Sequence, residues 1–353
     1  LVHVANGLKQ NCPNDEEKDL FKLPEYISKM VENNWLGSKS GQGFYKKVKD
    51  ENGKSNILVL DLESLEYREK QKVKFPTLEM TKPIDDLKQR TKMLFMGMDK
   101  AGDFYRKVFG GLFAYVANRI PEISDDIYKV DDALKAGFGW ELGPFETWDL
   151  LGLAKGIELA EKEGKTIPGW ISEMKDAGIS SFYKFENGQQ LYYDIESKGY
   201  KTVPGSEDRV SLEALRDGNT LWKNEDTTIV DLGDGILNLE FHTKMNTIGG
   251  GVIQGINKAI DLAEESHKGL VISNNGQNFS AGANVGMIFM MAVEQDFDEL
   301  NFAVKTFQNT MMRVRYSNIP VIVAPHNLAL GGGCELALHA DKVVAHAELY
   351  MGL

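Results

Sequence analysis

Leu328-Ala329-Leu330-Gly331-Gly332-Gly333-Cys334-Glu335-Leu336-Ala337-Leu338-His339-Ala340-Asp341 is the stretch whose reading decides the fold. An apolar run at residues 319–325 precedes it and reads as a buried strand. The glycines then open Leu336-Ala337-Leu338, which reads as a buried helix. A strand thus leads into a glycine turn, and the turn into a helix N-terminus. The first amides of a helix lack internal partners and lie at the positive end of its dipole. Glycine lets another molecule come close to them. The stretch is built to stabilise a negative oxygen. Glu335 falls in the first helical turn, between Cys334 and Leu336 in an apolar helix, and is expected to be partly buried.

Working outward, Gly269-Leu270-Val271-Ile272-Ser273 reads as a second strand. Asn274-Asn275-Gly276-Gln277-Asn278 follows, then Phe279-Ser280-Ala281-Gly282-Ala283-Asn284, and a helix from Val285. Two strand–loop–helix junctions in one sheet would aim two sets of free amides into one crevice at the strands' carboxyl ends.

Together these stretches resemble the enoyl-CoA hydratase/isomerase (crotonase) superfamily. The Phe279–Asn284 run is similar to that family's first oxyanion loop, and the run from Ala329 to Leu338 to its second. The resemblance implies that the amides of Ala283 and Gly332 hold a thioester oxygen and that Glu335 is one of two catalytic glutamates. It makes Ala281, Asn284 and Gly331 substrate-binding. Asn284 stands where many members carry Asp. The second glutamate is expected a couple of residues past Leu353, and Glu348 lies too early in the pattern to replace it.

The whole composition fits this reading. At 353 residues the chain is expected to form two or three domains. Apolar residues make up 42% and charged residues 26%, ordinary for a globular protein. A net charge of −12 argues against nucleic acid as a partner. No apolar run approaches the ~20 residues of a membrane span. Cys12 and Cys334 imply no disulfide framework and suit a reducing compartment, so a cytoplasmic location is expected. Six scattered His and two Cys give no metal-ligand spacing.

The first half is helical with two extended interruptions. Residues 1–7 read as a helix, as do residues 24–32. Trp35-Leu36-Gly37-Ser38-Lys39-Ser40-Gly41-Gln42-Gly43-Phe44-Tyr45-Lys46 is a turn running into an extended segment. Asn52-Gly53 then signals a hairpin before residues 56–61. From residue 84 to 178 the pattern is helical, with Phe104, Val108, Leu112 and Tyr115-Val116 predicting one buried face. Pro121 stops that helix, and Ser124-Asp125-Asp126 caps the next. Pro144 opens another at its first position. Ile171-Ser172-Glu173-Met174 echoes Ile27-Ser28-Lys29-Met30. Ser181-Phe182-Tyr183-Lys184 with Asn187-Gly188 echoes Gly43-Phe44-Tyr45-Lys46 with Asn52-Gly53. A duplicated unit of helix plus hairpin is the economical account.

The run from Gly37 to Tyr45, and Asp131-Asp132-Ala133 with Gly143-Pro144-Phe145, resemble the C-terminal domains of 3-hydroxyacyl-CoA dehydrogenase. By that resemblance the chain is multidomain: α-helical dehydrogenase C-terminal domains, then an α/β crotonase-like ββα spiral, truncated at both ends. The segments are 1–62, the tail of a first dehydrogenase C-terminal domain; 63–198, a second; 199–226, a polar linker; and 227–353, the N-terminal part of the hydratase domain. The resemblance implies a fused enzyme of fatty-acid β-oxidation acting on CoA thioesters. NAD would be bound by a domain outside this chain, and a thiolase or a second copy is the expected partner. An isomerase of the same fold and a catalytically silent acyl-CoA-binding fragment are the alternatives, and the fragment alone is expected to hydrate poorly.

Three features are read as structural. Ile248-Gly249-Gly250-Gly251-Val252 is a helix start with glycines for close packing, not a dinucleotide loop, because no acid ends the following strand. Cys334 is a small core residue. The Met287–Met291 run is apolar packing, against an acyl chain if one binds.

Overall fold

The computed structural model describes residues 1–49, 53–84, 86–186, 188–206 and 210–353. In chain order it holds α1 (Val2–Asn11), α2 (Glu25–Glu32), β1 (Tyr45–Lys49), β2 (Ser55–Leu60), β3 (Tyr67–Glu69), α3 (Pro76–Thr81), α4 (Leu87–Met96) and α5 (Lys100–Asn118). Next come α6 (Ile127–Phe138), α7 (Pro144–Leu151), α8 (Leu153–Lys162), α9 (Gly169–Asp176), β4 (Tyr183–Glu186), β5 (Gln189–Asp194) and β6 (Gly199–Thr202). The last region has α10 (Leu212–Asn219), β7 (Thr220–Lys223), β8 (Thr227–Gly233), β9 (Ile236–Phe241), α11 (Gly250–Ser266), β10 (Gly269–Ile272), α12 (Val285–Val293) and α13 (Phe297–Arg315). It ends with β11 (Val321–Val323), β12 (Leu328–Leu330), α14 (Gly332–His339), β13 (Lys342–Val343) and β14 (Tyr350–Gly352). A largely helical N-terminal region therefore precedes a mixed α/β region. Contacts group the chain into two compact units, residues 1–119 with 155–168, and residues 120–154 with 169–353.

In the first unit, α5 turns a different face inward from the one its large residues predict. Phe104 is 63% exposed and Val108 47%; of the expected set Val116 is buried, together with Ala101, Gly110, Phe113 and Ala117. Small residues decide this. A Cβ on Gly102 would lie 2.0 Å from the Gly97 carbonyl oxygen, and one on Gly110 would lie 2.7 Å from that of Leu159. The helix approaches its neighbours backbone to backbone, and only small side chains permit that.

The two repeat copies share their bonding in detail. The second residue after each helix is left-handed, Asn34 at φ 57° and Gly178 at φ 75°. Trp35 N–H returns to the Met30 carbonyl at 2.8 Å, and Ile179 N–H to that of Met174 at 3.0 Å. This is the six-to-one closure that satisfies orphan carbonyls at a helix C-terminus. Met30 and Met174 are both buried. Each copy then forms a three-stranded antiparallel sheet, β1–β2–β3 or β4–β5–β6, where the sequence suggested a hairpin. The tips at Asn52 and Asn187 lie outside the described residues.

Of residues 199–226, those described, all but 207–209, include three regular elements. β6 closes the second small sheet, β7 forms the edge of the main sheet, and α10 packs on β8. The polar composition that suggests a solvated crossing is used internally: Arg216 reaches the 2%-exposed carboxylate of Glu240 through two bonds, 3.1 and 2.6 Å. An Arg–carboxylate fork of this kind fixes orientation as well as position.

The main sheet runs β13–β11–β10–β9–β8–β7, parallel from β13 to β9 and antiparallel from β9 to β7. Leu237 and Leu239 alternate with Asn238 and Glu240, so one face of β9 enters the hydrophobic core. Val252, Ile256, Ala259, Ile260 and Ala263 supply the helix side at three- and four-residue spacing. Gly255 lets α11 lie close, since a Cβ there would sit 2.3 Å from Thr227 Oγ1. The strands expected before the two junctions, β10 and β11, lie side by side and parallel in this sheet, and a further short strand comes between β11 and the glycines. Leu328–Leu330 leaves the main sheet and pairs in parallel with β14.

Candidate active site

Two loops are stitched side by side, and the stitching decides which amides stay free. Phe279 N–H donates to the His326 carbonyl at 3.1 Å, and Ser280 N–H to that of Leu328 at 3.0 Å. Ala281 N–H donates to the Met245 carbonyl at 3.1 Å, and Gly282 N–H to Ser280 Oγ at 3.1 Å. Across the seam, Leu330 N–H donates to the Ser280 carbonyl at 3.0 Å, and Gly331 N–H to that of Gly352 at 2.9 Å. Among the described residues, the Ala283 and Gly332 amides have no such acceptor. They are also neighbours. A Cβ on Gly332 would lie 3.3 Å from the Ala283 nitrogen, and one on Gly282 3.1 Å from the Gly332 nitrogen. Gly332 opens α14, so the helix dipole adds to its donor strength.

The turn itself requires glycine. Gly331 adopts φ 49°, ψ −120°, a combination closed to residues with a Cβ. Gly333 rests against Ser280, whose Cβ would be 2.7 Å from one added there. Behind the first loop, three buried asparagines hold its shape. Asn246 Nδ2 donates to Asn274 Oδ1 and to the Asn278 carbonyl, both at 2.9 Å. Asn274 Nδ2 donates to the Phe279 carbonyl at 3.0 Å.

A cavity of ≈ 440 Å³ adjoins the two amides. Ala283, Asn284 and Glu335 line it, with Met287, Ile288 and Met291 of α12 and Leu300, Ala303 and Phe307 of α13. The expected catalytic residue and one expected oxyanion donor thus meet at one apolar cavity, and Gly332 lies against both. Asn284 also caps α12, accepting from Met287 N–H at 3.2 Å. Asn caps a helix as well as Asp does, so this departure from the family pattern costs no capping. Ala281 and Gly331 shape the turns and do not line the cavity. Glu348 does not line it either. A second carboxylate that the sequence reading missed does: Glu299, in the first turn of α13.

The remaining titratable groups are accounted for locally. Burial, with the nearby charge of Glu335, pushes the Cys334 thiol up, which keeps it protonated as a core residue. His339 Nδ1 lies 2.7 Å from the Glu335 carbonyl, a contact within the helix. Among the described residues no three His, Cys, Asp or Glu side chains are grouped to hold a metal ion, and no helix is long and apolar enough to cross a membrane. The glycines at residues 249–251 stand at the start of α11: a Cβ on Gly251 would lie 2.1 Å from the Asp226 carboxylate, while Gly249 and Gly250 line the cavity.

The paired glycine junctions, the free amides and the adjoining cavity lie together on the α/β region. Residues 232–352 match the family model Enoyl-CoA hydratase/isomerase, and the chain therefore carries a C-terminal crotonase domain. Over all of its length it also matches part of a larger 3-hydroxyacyl-CoA dehydrogenase-like protein. It is 43% identical over 354 residues to a "Probable 3-hydroxyacyl-CoA dehydrogenase" of Bacillus subtilis (strain 168), covering 44% of that protein. It is 26% identical over 351 residues to a "Putative fatty acid oxidation complex trifunctional enzyme" of Rickettsia felis, covering 99% of this chain and 44% of that one. The chain thus spans less than half the length of these curated relatives. The "Crystal structure of putative enoyl-CoA hydratase from Streptomyces coelicolor A3(2)" aligns with 36% of this chain and 47% of that one at 23% identity and a TM-score of 0.34.

Proposed function

We propose that this chain is part of a fatty-acid β-oxidation enzyme whose C-terminal domain hydrates trans-2-enoyl-CoA. The observation that carries the reading is the pair of unpartnered amides, Ala283 and Gly332, beside a cavity that also holds Glu335. Water adds its hydroxyl to C3 of the enoyl group and a proton reaches C2. Negative charge gathers on the thioester oxygen between these events, and two amides already aimed at it stabilise that charge without reorganising. Glu335 moves one of the protons, as one member of a carboxylate pair. Segments 1–62 and 63–198 are then dehydrogenase-type helical domains, and 227–353 the hydratase part. NAD-dependent oxidation of 3-hydroxyacyl-CoA belongs to the whole protein. No step of that reaction is assigned to the residues of this chain.

Double-bond isomerisation is the second reading. It needs only one carboxylate to carry one proton between two carbons, and Glu335 lies beside the amides. The experiment is Glu335→Gln in the full-length protein, assayed for hydration of crotonyl-CoA and for conversion of a 3-enoyl-CoA to its 2-enoyl isomer. Hydration should fall by ~10²–10⁴-fold, the usual worth of a positioned acid or base, while acyl-CoA still binds. Unchanged hydration would remove Glu335 from the mechanism. A parent that isomerises but does not hydrate would establish the second reading.

A further inference from the structure

We propose that Glu299 sets the acyl chain length that this cavity accepts, limiting it to medium chains; the inference rests on the thioester site described above. Phe307 marks the reaction end of α13, since a Cβ on Gly332 would meet its Cζ at 3.0 Å. Ala303, Leu300 and Glu299 line the same cavity, successively further from Phe307 along the helix. Eight residues at a 1.5 Å rise place Glu299 ~12 Å from the level of Phe307. An extended hydrocarbon of ~1.5 Å bonds advances ~1.3 Å per carbon along its zigzag, so roughly nine or ten carbons span that distance. Up to there the apolar lining is Met287, Ile288, Met291, Leu300 and Ala303, with which methylenes exchange water for apolar contact, and the polar Thr306 and Gln308 lie beside Phe307 at the reaction end. At Glu299 the lining changes to a carboxylate. Among the described residues no ion pair holds it; the α13 ion pairs are those of Arg313 near the other end of the helix. A chain passing this point strips water from the carboxylate and returns no hydrogen bond. A shorter chain leaves it hydrated.

The test is the dissociation constant of butyryl-, octanoyl-, decanoyl-, dodecanoyl- and tetradecanoyl-CoA, measured by displacement calorimetry on the full-length protein, on Glu299→Leu and on Glu299→Gln. Each added methylene should tighten binding roughly fourfold up to about ten carbons, and then the gain should stop. In Glu299→Leu the gain should continue, shifting the ratio of tetradecanoyl to decanoyl affinity by at least about tenfold. Glu299→Gln should shift it less, because an amide also needs hydration. Steady tightening through tetradecanoyl-CoA in the unaltered protein would overturn the proposal, as would a Leu variant whose ratio stays within about threefold. Failure of every thioester to bind, butyryl-CoA included, would instead overturn the site itself, and this inference with it.

Discussion

Gly282 is the residue on which the geometry of the two loops depends most. Its φ is +91°, and an added Cβ would sit 2.5 Å from the Leu330 carbonyl oxygen as well as 3.1 Å from the Gly332 nitrogen. Gly282→Ala should therefore push β12 away from the first loop and displace the Gly332 amide. Backbone strain of this kind costs ~1–3 kcal/mol, and losing one oxyanion donor costs ~10²–10³-fold in rate. Steady-state hydration and urea unfolding of the full-length variant check both effects; wild-type turnover would mean that the Gly332 amide is not used. At this scale much of the site was legible. A strand, glycines and a helix start mark where free amides fall in any sequence, and the resemblance to a known family singled out Ala283, Gly332 and Glu335 among them. Met245 and Asn246 could not. Both take positive φ, 54° and 51°, without being glycine, and a side chain in that conformation leaves no pattern in the sequence. Glu299 was missed because an exposed first-turn acid looks like an ordinary partner of the helix dipole.

Among the elements, the junction of α6, α7 and β4 is built on buried carboxylates. Asp131 is fully buried and caps α7 from another helix. Its Oδ1 accepts from Phe145 N–H at 2.9 Å, and its Oδ2 from Glu146 N–H at 3.0 Å and from the Tyr183 hydroxyl at 2.9 Å. Gly143 makes room, since a Cβ there would lie 2.3 Å from the Asp131 side chain. Asp149 accepts from Phe182 and Tyr183 N–H at 2.7 and 2.8 Å. Burial, with the nearby charge of Glu146, lifts Asp131 to about 7 against the pull of its hydrogen bonds. Burial lifts Asp149 to about 7 in the same way. Lys135 lies beside this cluster, 2.9 Å from Glu146. Each folded value exceeds the unfolded one, so each group's contribution is fully present below pH ~4 and is lost as pH rises through about 7. A shift of this size is worth roughly 4 kcal/mol per group over that window. Asp131→Asn should flatten the fall in stability between pH 5 and 8 by about half, while lowering stability at pH 5 by ~1–3 kcal/mol through the lost acceptor. Urea unfolding at the two pH values checks it, and an unchanged slope would refute the assignment. Sequence gave the positions of Asp131, Gly143 and Pro144 but not their bonding, because a cap supplied from a distant helix leaves no local spacing. The same blindness hid the true face of α5, which small residues select; the third strand of each small sheet is a local hairpin partner, Leu60 facing Tyr67 and Asp194 facing Gly199, that the polar composition of β3 and β6 concealed.

Across the whole molecule, the order of helical region then α/β region could be read from periodicity, and the repeat from its echoes. The grouping of residues 155–168 with residues 1–119 could not, because a chain that returns to an earlier unit shows no change of composition. The α/β region has one element whose stability is open to its ligand. α12 is apolar along its length yet contains no buried residue, and it packs mainly on α13. Few buried contacts mean low local stability and easy opening. Met287, Ile288 and Met291 line the cavity, so an acyl chain bound there would give α12 the apolar cover it lacks. A ligand that binds only the closed form at a hundred times its dissociation constant stabilises that form by ~2.7 kcal/mol, about a hundredfold in the opening equilibrium. Decanoyl-CoA at that excess should therefore slow amide hydrogen exchange in residues 285–293 by up to about a hundredfold, with further protection at Ala283 and Gly332. Exchange in residues 1–119 and 155–168 should not change. Protection of those residues with none in α12 would place the acyl group elsewhere in the protein, and the α12–α13 cavity would then lose its assignment.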